Sequence, residues 1–221
     1  FGLLFSWLYQ KGFLHSAAVS KKLFAIMAIT VAPTYFLSIL WLKLPKVLHW
    51  TADISGILQL LVLFYFIQLY PVVRKNIPNK FTKTTKYLWI MASIAFILKI
   101  ILQMLSIIPY LSHFAFGFRP VVIGYLHLSF IGIISFFILG YINELLKQVH
   151  RRVNGGGIIL FVIGFLVQEI ILMMQGLEAM EITPLPYASL ILFACALLMV
   201  IGLIWITAGI MKREKAPVNN T

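Results

Sequence analysis

The chain has 221 residues, of which 62% are hydrophobic and only 11% are charged, and its formal net charge is +12. Soluble globular domains carry about 25% charged residues, so a soluble fold could not bury this much apolar surface. The single cysteine, Cys195, lies in an apolar run, which excludes a disulfide framework and a cysteine-based metal site. The basic residues lie between apolar runs, an arrangement that indicates membrane topology and argues against nucleic-acid binding.

Residues 1–10 form an apolar stretch that begins without Met and without a basic region. A signal peptide would start with basic residues and end at a small-residue cleavage site. We therefore expect this stretch to be the last turns of a helix whose beginning lies upstream, in a longer protein. A short interfacial helix that follows an initiating Met is the alternative interpretation.

Six longer apolar segments follow, and each is near or above the ~20 residues that a helix needs to cross a bilayer. Strands of a membrane barrel would alternate apolar and polar residues over about ten positions, a pattern that these segments lack. The sequence predicts an all-α, polytopic transmembrane bundle with six full spans and a partial N-terminal span. Residues 1–211 would form a single transmembrane domain, and residues 212–221 a cytoplasmic tail. The six segments are Leu23–Leu42, Ile54–Val73, Tyr87–Ile108, Pro120–Leu145, Gly157–Leu177 and Leu185–Met211.

Alternate connections between these segments differ strongly in positive charge, with fourteen Lys and Arg residues on one side and three on the other. The positive-inside rule therefore places the basic loops and the C-terminus in the cytoplasm, most simply of a bacterium with the chain in its inner membrane. The partners that this predicts are the lipid bilayer and either other membrane subunits or further copies of the chain. The basic side holds Lys11, Lys21, Lys22, Arg74, Lys75, Lys80, Lys83, Lys86, Lys147, Arg151, Arg152, Lys212, Arg213 and Lys215, and the other side holds Lys43, Lys46 and Arg119.

Three ionisable residues, Lys99, His127 and Glu169, lie inside the predicted spans. Such residues cost ~2.5–3.5 kcal/mol each on insertion scales and are functional candidates by default. With a rise of 1.5 Å per residue, all three fall ~12 Å below the outer face of the membrane. Gln59 falls slightly shallower. The sequence therefore predicts one polar layer in the outer half of the membrane.

Helical spacing predicts which way these side chains face. Residues three, four and seven positions apart share a face of a helix, and small residues on that face allow a close approach of a second helix. The predicted inward stripes are Ala92, Ala95, Lys99, Gln103 and Ser106 in the third span, and Phe165, Glu169, Met173 and Gly176, with Gln168 beside them, in the fifth.

This polar layer has two interpretations. The first is structural, with a buried ion pair between Lys99 and Glu169 and one hydrogen bond from His127 to a neighbouring helix, since an unpaired charge at this depth requires a partner. The second is a proton or ion path, or a site for a cofactor or quinone-like ligand, with His127 as proton carrier or ligand.

One stretch, residues 124–132, reads Gly-Tyr-Leu-His-Leu-Ser-Phe-Ile-Gly. Its Tyr125-Leu126-His127-Leu128 run, followed by Gly132, resembles the haem-bearing helices of the haem–copper oxidase catalytic-subunit superfamily. The resemblance implies a helical membrane fold, with haem as the cofactor and His127 as an axial haem ligand in the outer half of the membrane. The chain has no adjacent pair of histidines and no His-x-His within a span. The resemblance therefore implies a ligand role for His127 alone.

Three functions follow as expectations. The first is an oxidase-like, haem-binding or redox-associated membrane protein, in which His127 would bind metal only through haem. The second is a transporter or channel with a proton or ion path along Lys99, Glu169, Gln59 and Gln103. The third is a non-catalytic structural subunit of a membrane complex. Whether the protein is an enzyme stays open. A hydrolase is the least expected class, because no Ser/His/Asp or metal-ligand spacing is present.

Overall fold

The computed structural model describes residues 17–34, 45–76, 81–108, 110–111, 117–148, 153–178 and 186–212. Every secondary-structure element within these ranges is helical, which confirms the all-α prediction for this part of the chain. The elements are α1 (Ala17–Thr34), α2 (Lys46–Asn76), α3 (Lys83–Leu105), α4 (Arg119–His127), a π-helical segment (Leu128–Ser135), α5 (Phe136–Gln148), α6 (Gly155–Glu178) and α7 (Ala188–Lys212).

Among the described residues, four helices are long and apolar enough to cross a membrane. They are Lys83–Leu105, the continuous helix Arg119–Gln148 that α4, the π-helical segment and α5 form together, Gly155–Glu178 and Ala188–Met211. These bounds agree with predicted spans three to six to within about one helical turn.

The remaining parts of the predicted topology stay predictions. The apolar part of α2, Ile54–Gln68, is shorter than a full span. The predicted span Leu23–Leu42 lies partly outside the described residues. Residues 1–10 and 213–221 lie wholly outside them.

The surfaces of these helices are strongly apolar. On α7, Leu190, Phe193 and Ile204 expose 65%, 61% and 62% of their area. Patches of this kind are unfavourable in water and favourable against lipid, so they fit a chain that contacts the bilayer.

The chain divides into two compact units. The first contains α1, α2 and the part of α3 from Ile97 onwards, and the second contains residues 82–96 and α4 to α7. The prediction of a single domain over residues 1–211 stays a prediction.

In the first unit, α1 packs against α2, and α2 touches the end of α3. Leu23 and Val62 are almost fully buried. Thr30 is buried as well, and its hydroxyl donates a hydrogen bond to the Ile26 carbonyl at 2.8 Å. Gly56 faces Met104 and Ile107 so closely that a Cβ there would stand 2.6 Å from Ile107 Cδ1.

The core of the second unit centres on Phe136, whose side chain is 1% exposed. Its ring meets the edges of Phe161 and Phe165 on α6, with centroids 5.9 and 5.0 Å apart and planes near perpendicular. Edge-to-face pairs of this kind add to the apolar burial because the positive edge of one ring points at the negative face of the other. They fix the continuous helix against α6.

Helices α6 and α7 approach each other through glycines. A Cβ on Gly202 would stand 2.8 Å from the Gly157 carbonyl oxygen and 2.9 Å from the Phe161 nitrogen, and a Cβ on Gly164 would stand 3.0 Å from the Cys195 carbonyl. Small residues at such positions let two backbones pack closely where lipid supplies no hydrophobic driving force between helices. Cys195 is buried in this interface and is a free thiol.

Candidate functional site

His127 is the last residue of α4, directly before the π-helical segment. In that segment the Phe136 N–H reaches back five residues to the Ile131 carbonyl. A turn closed by such a hydrogen bond contains one residue more than an α-helical turn. One extra residue rotates the helix that follows, α5, by about 100° relative to α4. Segments of this kind are frequent at functional sites, and here one joins the helix that carries His127 to the helix that builds the core.

The His127 ring lies against two neighbouring residues of α6. Its Nδ1 atom is 3.1 Å from the Gln168 amide nitrogen and 3.9 Å from Oε1 of Glu169. When the amide donates to Nδ1, the ring proton is on Nε2; with the amide turned over, Nδ1–H donates to Oε1 of Gln168. The structure therefore brings together His127 and Glu169 of the predicted layer and adds Gln168 to them. We call these three residues the histidine cluster.

Two oxygens of the histidine cluster have no hydrogen-bond partner among the described residues. They are Oε1 of Gln168 and Oε1 of Glu169, and both atoms are buried. A buried polar atom left unpaired costs about 1–3 kcal/mol, and more when it is charged. The carboxylate is 3.9 Å from the ring nitrogen, beyond a direct hydrogen bond but within reach of one water or a small side-chain rotation. The cluster can therefore take up a proton and release it at low geometric cost.

The other carboxylate oxygen of Glu169 faces Gly124, one turn before His127 on α4. A Cβ on Gly124 would stand 3.7 Å from Glu169 Oε2 and 3.6 Å from Leu172 Cβ, which is an ordinary contact distance. The absence of a side chain at this position leaves the carboxylate room to move.

The buried face of α6 is centred on Gln168 rather than on Glu169. Phe165 and Gly176 are buried, as the spacing predicts. Met173, which the spacing places on the same inward stripe, is 63% exposed, so this part of the prediction is wrong. A neutral amide costs less to bury than a carboxylate, so α6 turns Gln168 rather than Glu169 towards its buried face.

Lys99, Gln103 and Gln59 of the predicted layer lie in the first unit. The Lys99 ammonium donates to Oε1 of Gln103 at 2.8 Å, one turn along the same helix, and the Ser106 hydroxyl donates to the Gln103 carbonyl at 2.8 Å. Gln103, Ser106 and the two alanines of the predicted stripe are buried. Gln59 is 7% exposed, and its Oε1 has no partner among the described residues. The ion pair between Lys99 and Glu169 stays a prediction.

A second polar cluster, which the sequence did not predict, lies in the second unit at the basic end of its helices. The amide nitrogen of Asn143 donates to the hydroxyls of Thr82 and Thr85 at 2.7 and 2.9 Å. Its oxygen accepts from the Val153 N–H at 3.3 Å. Thr82 caps the start of α3, since its hydroxyl accepts from the Thr85 N–H at 3.2 Å. One buried asparagine thus joins the start of α3, and Val153 two residues before α6, to the end of α5.

Glu144 completes this second cluster, which we call the capping cluster (Thr82, Thr85, Asn143, Glu144 and Val153). Its Oε1 accepts from the Thr82 N–H at 2.8 Å, and its Oε2 lies 3.8 Å from the Lys147 ammonium. A carboxylate at the start of α3 is also favoured by the helix dipole. The sequence features that could have predicted the capping cluster are Thr82, shortly before one predicted span, and the Asn143-Glu144 pair at the end of the next.

The role of His127 as an axial haem ligand stays a prediction. A metal-binding histidine usually donates its second ring N–H to a carboxylate, carbonyl or water. The other nitrogen, Nε2, makes no hydrogen bond or ion pair to any residue that the structure describes. Within the same part of the chain, no group of three or more His, Cys, Asp and Glu side chains could hold a metal ion.

No protein-family model, curated protein or solved structure matches this chain. The functional inference therefore depends on the geometry of the histidine cluster and on the physics of polar groups in lipid.

Proposed function

We propose that this chain is a proton-coupled membrane transporter, in which the histidine cluster binds and releases the proton. The observation that supports it is the contact between His127 and Glu169, whose Oε1 is buried, 3.9 Å from Nδ1, and without a hydrogen-bond partner among the described residues. Chains of His and acidic residues within membrane helices are the usual means of carrying protons in pumps and transporters.

The proton can occupy two neighbouring positions, the Glu169 carboxyl group and Nδ1 of His127. When the proton is on the carboxyl group, Glu169 is neutral and its burial costs little. When the proton moves to Nδ1, an imidazolium faces a carboxylate, and the pair gains a charge-assisted contact. The Gln168 amide suits both states. It donates an N–H to Nδ1 when Nδ1 is unprotonated, and when turned over its oxygen accepts from Nδ1–H.

The capping cluster shows what a purely structural polar cluster looks like in the same unit. Asn143 makes three hydrogen bonds there, and Glu144 accepts one from a backbone N–H and lies close to Lys147. Neither residue has a buried side-chain atom without a partner. In the histidine cluster two oxygens have no partner among the described residues, a cost that a structural role gives no reason to keep.

The test is proton uptake into proteoliposomes that contain the full chain and a pH-sensitive dye, driven by a potassium diffusion potential. We expect uptake several-fold faster than in protein-free vesicles, and we expect Glu169→Gln and His127→Gln to reduce it to the protein-free rate. Glu178→Gln is the matched control, since it makes the same change at the end of the same helix. Equal rates with and without protein would contradict the proposal.

A specific observation also favours haem binding as a second candidate function. Nδ1 of His127 lies beside the Gln168 amide, and with that amide turned over Nδ1–H would donate to Oε1 of Gln168, which leaves the Nε2 lone pair for an axial ligand bond. Haem would supply redox chemistry at this depth. The absorption spectrum of the purified protein tests this candidate: it predicts a Soret band that His127→Ala abolishes and Glu178→Gln leaves unchanged.

For localisation, we propose a bacterial inner membrane with the basic loops and the C-terminus in the cytoplasm. The charge distribution along the chain supports this, with fourteen basic residues on one side and three on the other. A fluorescent protein fused after Thr221 is expected to fluoresce, because it folds in the cytoplasm, whereas a periplasmic reporter enzyme fused there is expected to be inactive.

A further inference from the structure

Helices α3 and α5 lie side by side and run in opposite directions at the basic end of the second unit. The N–H of Thr82, directly before α3, donates to Oε1 of Glu144 at 2.8 Å, and the Trp89 indole N–H donates to the Phe137 carbonyl at 3.3 Å. Thr82 precedes Trp89 in the chain, whereas its partner Glu144 follows Phe137. The first two turns of α3 therefore lie level with the last turns of α5.

Two lysines flank the first of these contacts. Lys83 directly follows Thr82 and is exposed. The Lys147 ammonium lies 3.8 Å from Oε2 of Glu144, the carboxylate whose other oxygen accepts from Thr82. Glu144 is buried, so its negative charge lies inside the contact and offsets the positive charge of Lys147. Lys83 lies beside this ion pair, at the surface.

A third lysine, Lys86, lies one turn farther along α3. It is four residues after Thr82 and three before Trp89, so it lies on the side of the helix that carries these two contacts with α5. It is also three residues after Lys83, and like charges at this spacing on a helix repel each other. An anion bound between the two ammonium groups would relieve this repulsion. We call Lys83, Lys86 and Lys147 the lysine cluster.

The sequence around the lysine cluster carries a large excess of positive charge. Residues 80–86 and 144–152 contain six Lys and Arg residues and one acidic residue, Glu144. Basic residues at a membrane surface attract anionic lipids, and each adds about fivefold in affinity. The six basic residues are Lys80, Lys83, Lys86, Lys147, Arg151 and Arg152.

Farther from the helix ends, the same two helices present three aromatic rings in a row. The Trp89 and Phe137 ring centroids are 6.2 Å apart with planes at 18°, and those of Phe137 and Tyr141 are 6.5 Å apart with planes at 16°. All three residues are half-buried, so one side of the row stays at the surface. We call these three residues the aromatic stack.

The spacing of the lysine cluster and the aromatic stack suits a lipid molecule. Lys83 begins one helix that is long and apolar enough to cross a membrane, and Gln148 ends another. Trp89 is six residues beyond Lys83, which is ~9 Å farther along the helix axis. The lysine cluster therefore lies where lipid headgroups begin, and the aromatic stack lies where Trp and Tyr usually contact the upper part of the acyl chains.

A phospholipid with a net negative headgroup uses both features at once. A soluble phosphate would meet the lysine cluster alone and leave the surface of the aromatic stack uncovered. A zwitterionic lipid would bring its own cation next to the ammonium groups, which cancels most of the attraction. Charge and apolar surface together therefore favour an anionic phospholipid.

We propose that Lys83, Lys86 and the aromatic stack bind one anionic phospholipid of the membrane, with its phosphate at the two ammonium groups and an acyl chain along the rings. Lys147 contributes little, because Glu144 offsets its charge. This inference goes beyond the proposed function, since the lipid binds whether or not the chain carries protons.

The test is native mass spectrometry of the purified full chain in a non-ionic detergent, titrated with phosphatidylglycerol or with phosphatidylcholine of the same acyl chains. We expect phosphatidylglycerol to bind at least tenfold more tightly. The double variant Lys83→Gln/Lys86→Gln should bind the two lipids to within about twofold of each other. Lys21→Gln/Lys22→Gln is the matched control, because it removes two exposed lysines from α1, and it should keep the tenfold preference.

Two further variants separate the headgroup from the acyl chain. Tyr141→Ala should weaken both lipids by a similar factor of two to five, because it shortens the apolar surface without changing the charge. Lys147→Gln should weaken phosphatidylglycerol by less than about threefold, since the ion pair with Glu144 already offsets this charge.

The proposal is overturned if the two lipids bind alike, or if the Lys83→Gln/Lys86→Gln variant keeps the full preference for phosphatidylglycerol. It is also overturned if glycerol 3-phosphate at equal concentration displaces the lipid, since the ligand would then be a soluble phosphate. If the double variant does not fold, Lys83→Glu alone decides. Reversing this exposed charge should weaken phosphatidylglycerol at least fivefold, and unchanged affinity overturns the proposal.

Discussion

Nδ1 of His127 lies 3.1 Å from the amide nitrogen of Gln168 and 3.9 Å from the carboxylate oxygen of Glu169. The histidine is thus held by a neutral group and only approached by the acidic one. A tight ion pair would fix the proton, whereas in the proposed function this looser arrangement lets the proton move between the ring and the carboxyl group. A structural role and a proton-carrying role differ in the effects that they predict for uptake and for stability.

Replacing Gln168 by Leu should reduce proton uptake about fivefold, since one neutral hydrogen bond of about 1 kcal/mol no longer orients the ring. The free energy of unfolding should change by less than about 1 kcal/mol. The substitution loses one hydrogen bond, but it also removes Oε1 of Gln168, a buried oxygen that has no partner among the described residues. Gln175→Leu, the same change farther along α6, should leave uptake unaltered. If Gln168→Leu lowers stability by several kcal/mol and does not alter uptake, the amide is only a structural group.

The histidine cluster was only partly predictable from sequence. The depth of each residue follows from a constant helical rise, so His127 and Glu169 could be placed in one layer. Their orientation could not, because the π-helical segment after His127 changes the rotation between α4 and α5 in a way that no hydrophobic period reveals. Adjacent residues of a helix differ by about 100° in direction, and hydropathy does not say whether Gln168 or Glu169 faces inward.

The bounds of the helices were more predictable, because lipid imposes a minimum length of apolar residues on each span. Helix starts depart further from the prediction: α1, α2 and α3 each begin several residues before the predicted span, and at α3 Thr82 and Glu144 satisfy the N–H groups of the first turn. Contacts between residues that are 61 or 62 positions apart do not show in a hydrophobic pattern. The Lys99 to Gln103 bond was accessible, since four residues along a helix bring two side chains together.

Replacing Asn143 by Leu should lower the free energy of unfolding by about 2–4 kcal/mol. The substitution removes three hydrogen bonds and leaves the Val153 N–H and two threonine hydroxyls without this partner. Unfolding in mixed micelles with increasing dodecyl sulfate measures the change. Gln148→Leu, on the exposed surface of the same helix, serves as the control and should have little effect. Equal stability of the two variants would show that the capping cluster does not hold these helices together.

Replacing Gly202 by Ala should force α6 and α7 apart. The new methyl group would stand 2.8 Å from the Gly157 carbonyl oxygen and 2.9 Å from the Phe161 nitrogen, and both are backbone atoms that cannot rotate away. Overpacking of this kind costs about 1–3 kcal/mol. Gly155→Ala is the matched control on the partner helix, because no described atom lies within 4 Å of its Cβ position. A thermal unfolding midpoint that falls in both variants alike would contradict close packing at Gly202.

Replacing Glu169 by Gln should abolish proton uptake without lowering stability. The free energy of unfolding should stay equal or rise by up to about 1–2 kcal/mol, since a neutral amide costs less to bury than a carboxylate whose Oε1 has no partner in the described part of the chain. Glu144→Gln should behave in the opposite way. Its carboxylate accepts from the Thr82 N–H and lies near Lys147, so the neutral variant should lose about 1 kcal/mol or more of stability and keep its proton uptake. A structural ion pair at Glu169 predicts loss of stability in both variants, and measuring unfolding and uptake on the same two proteins decides between the two interpretations.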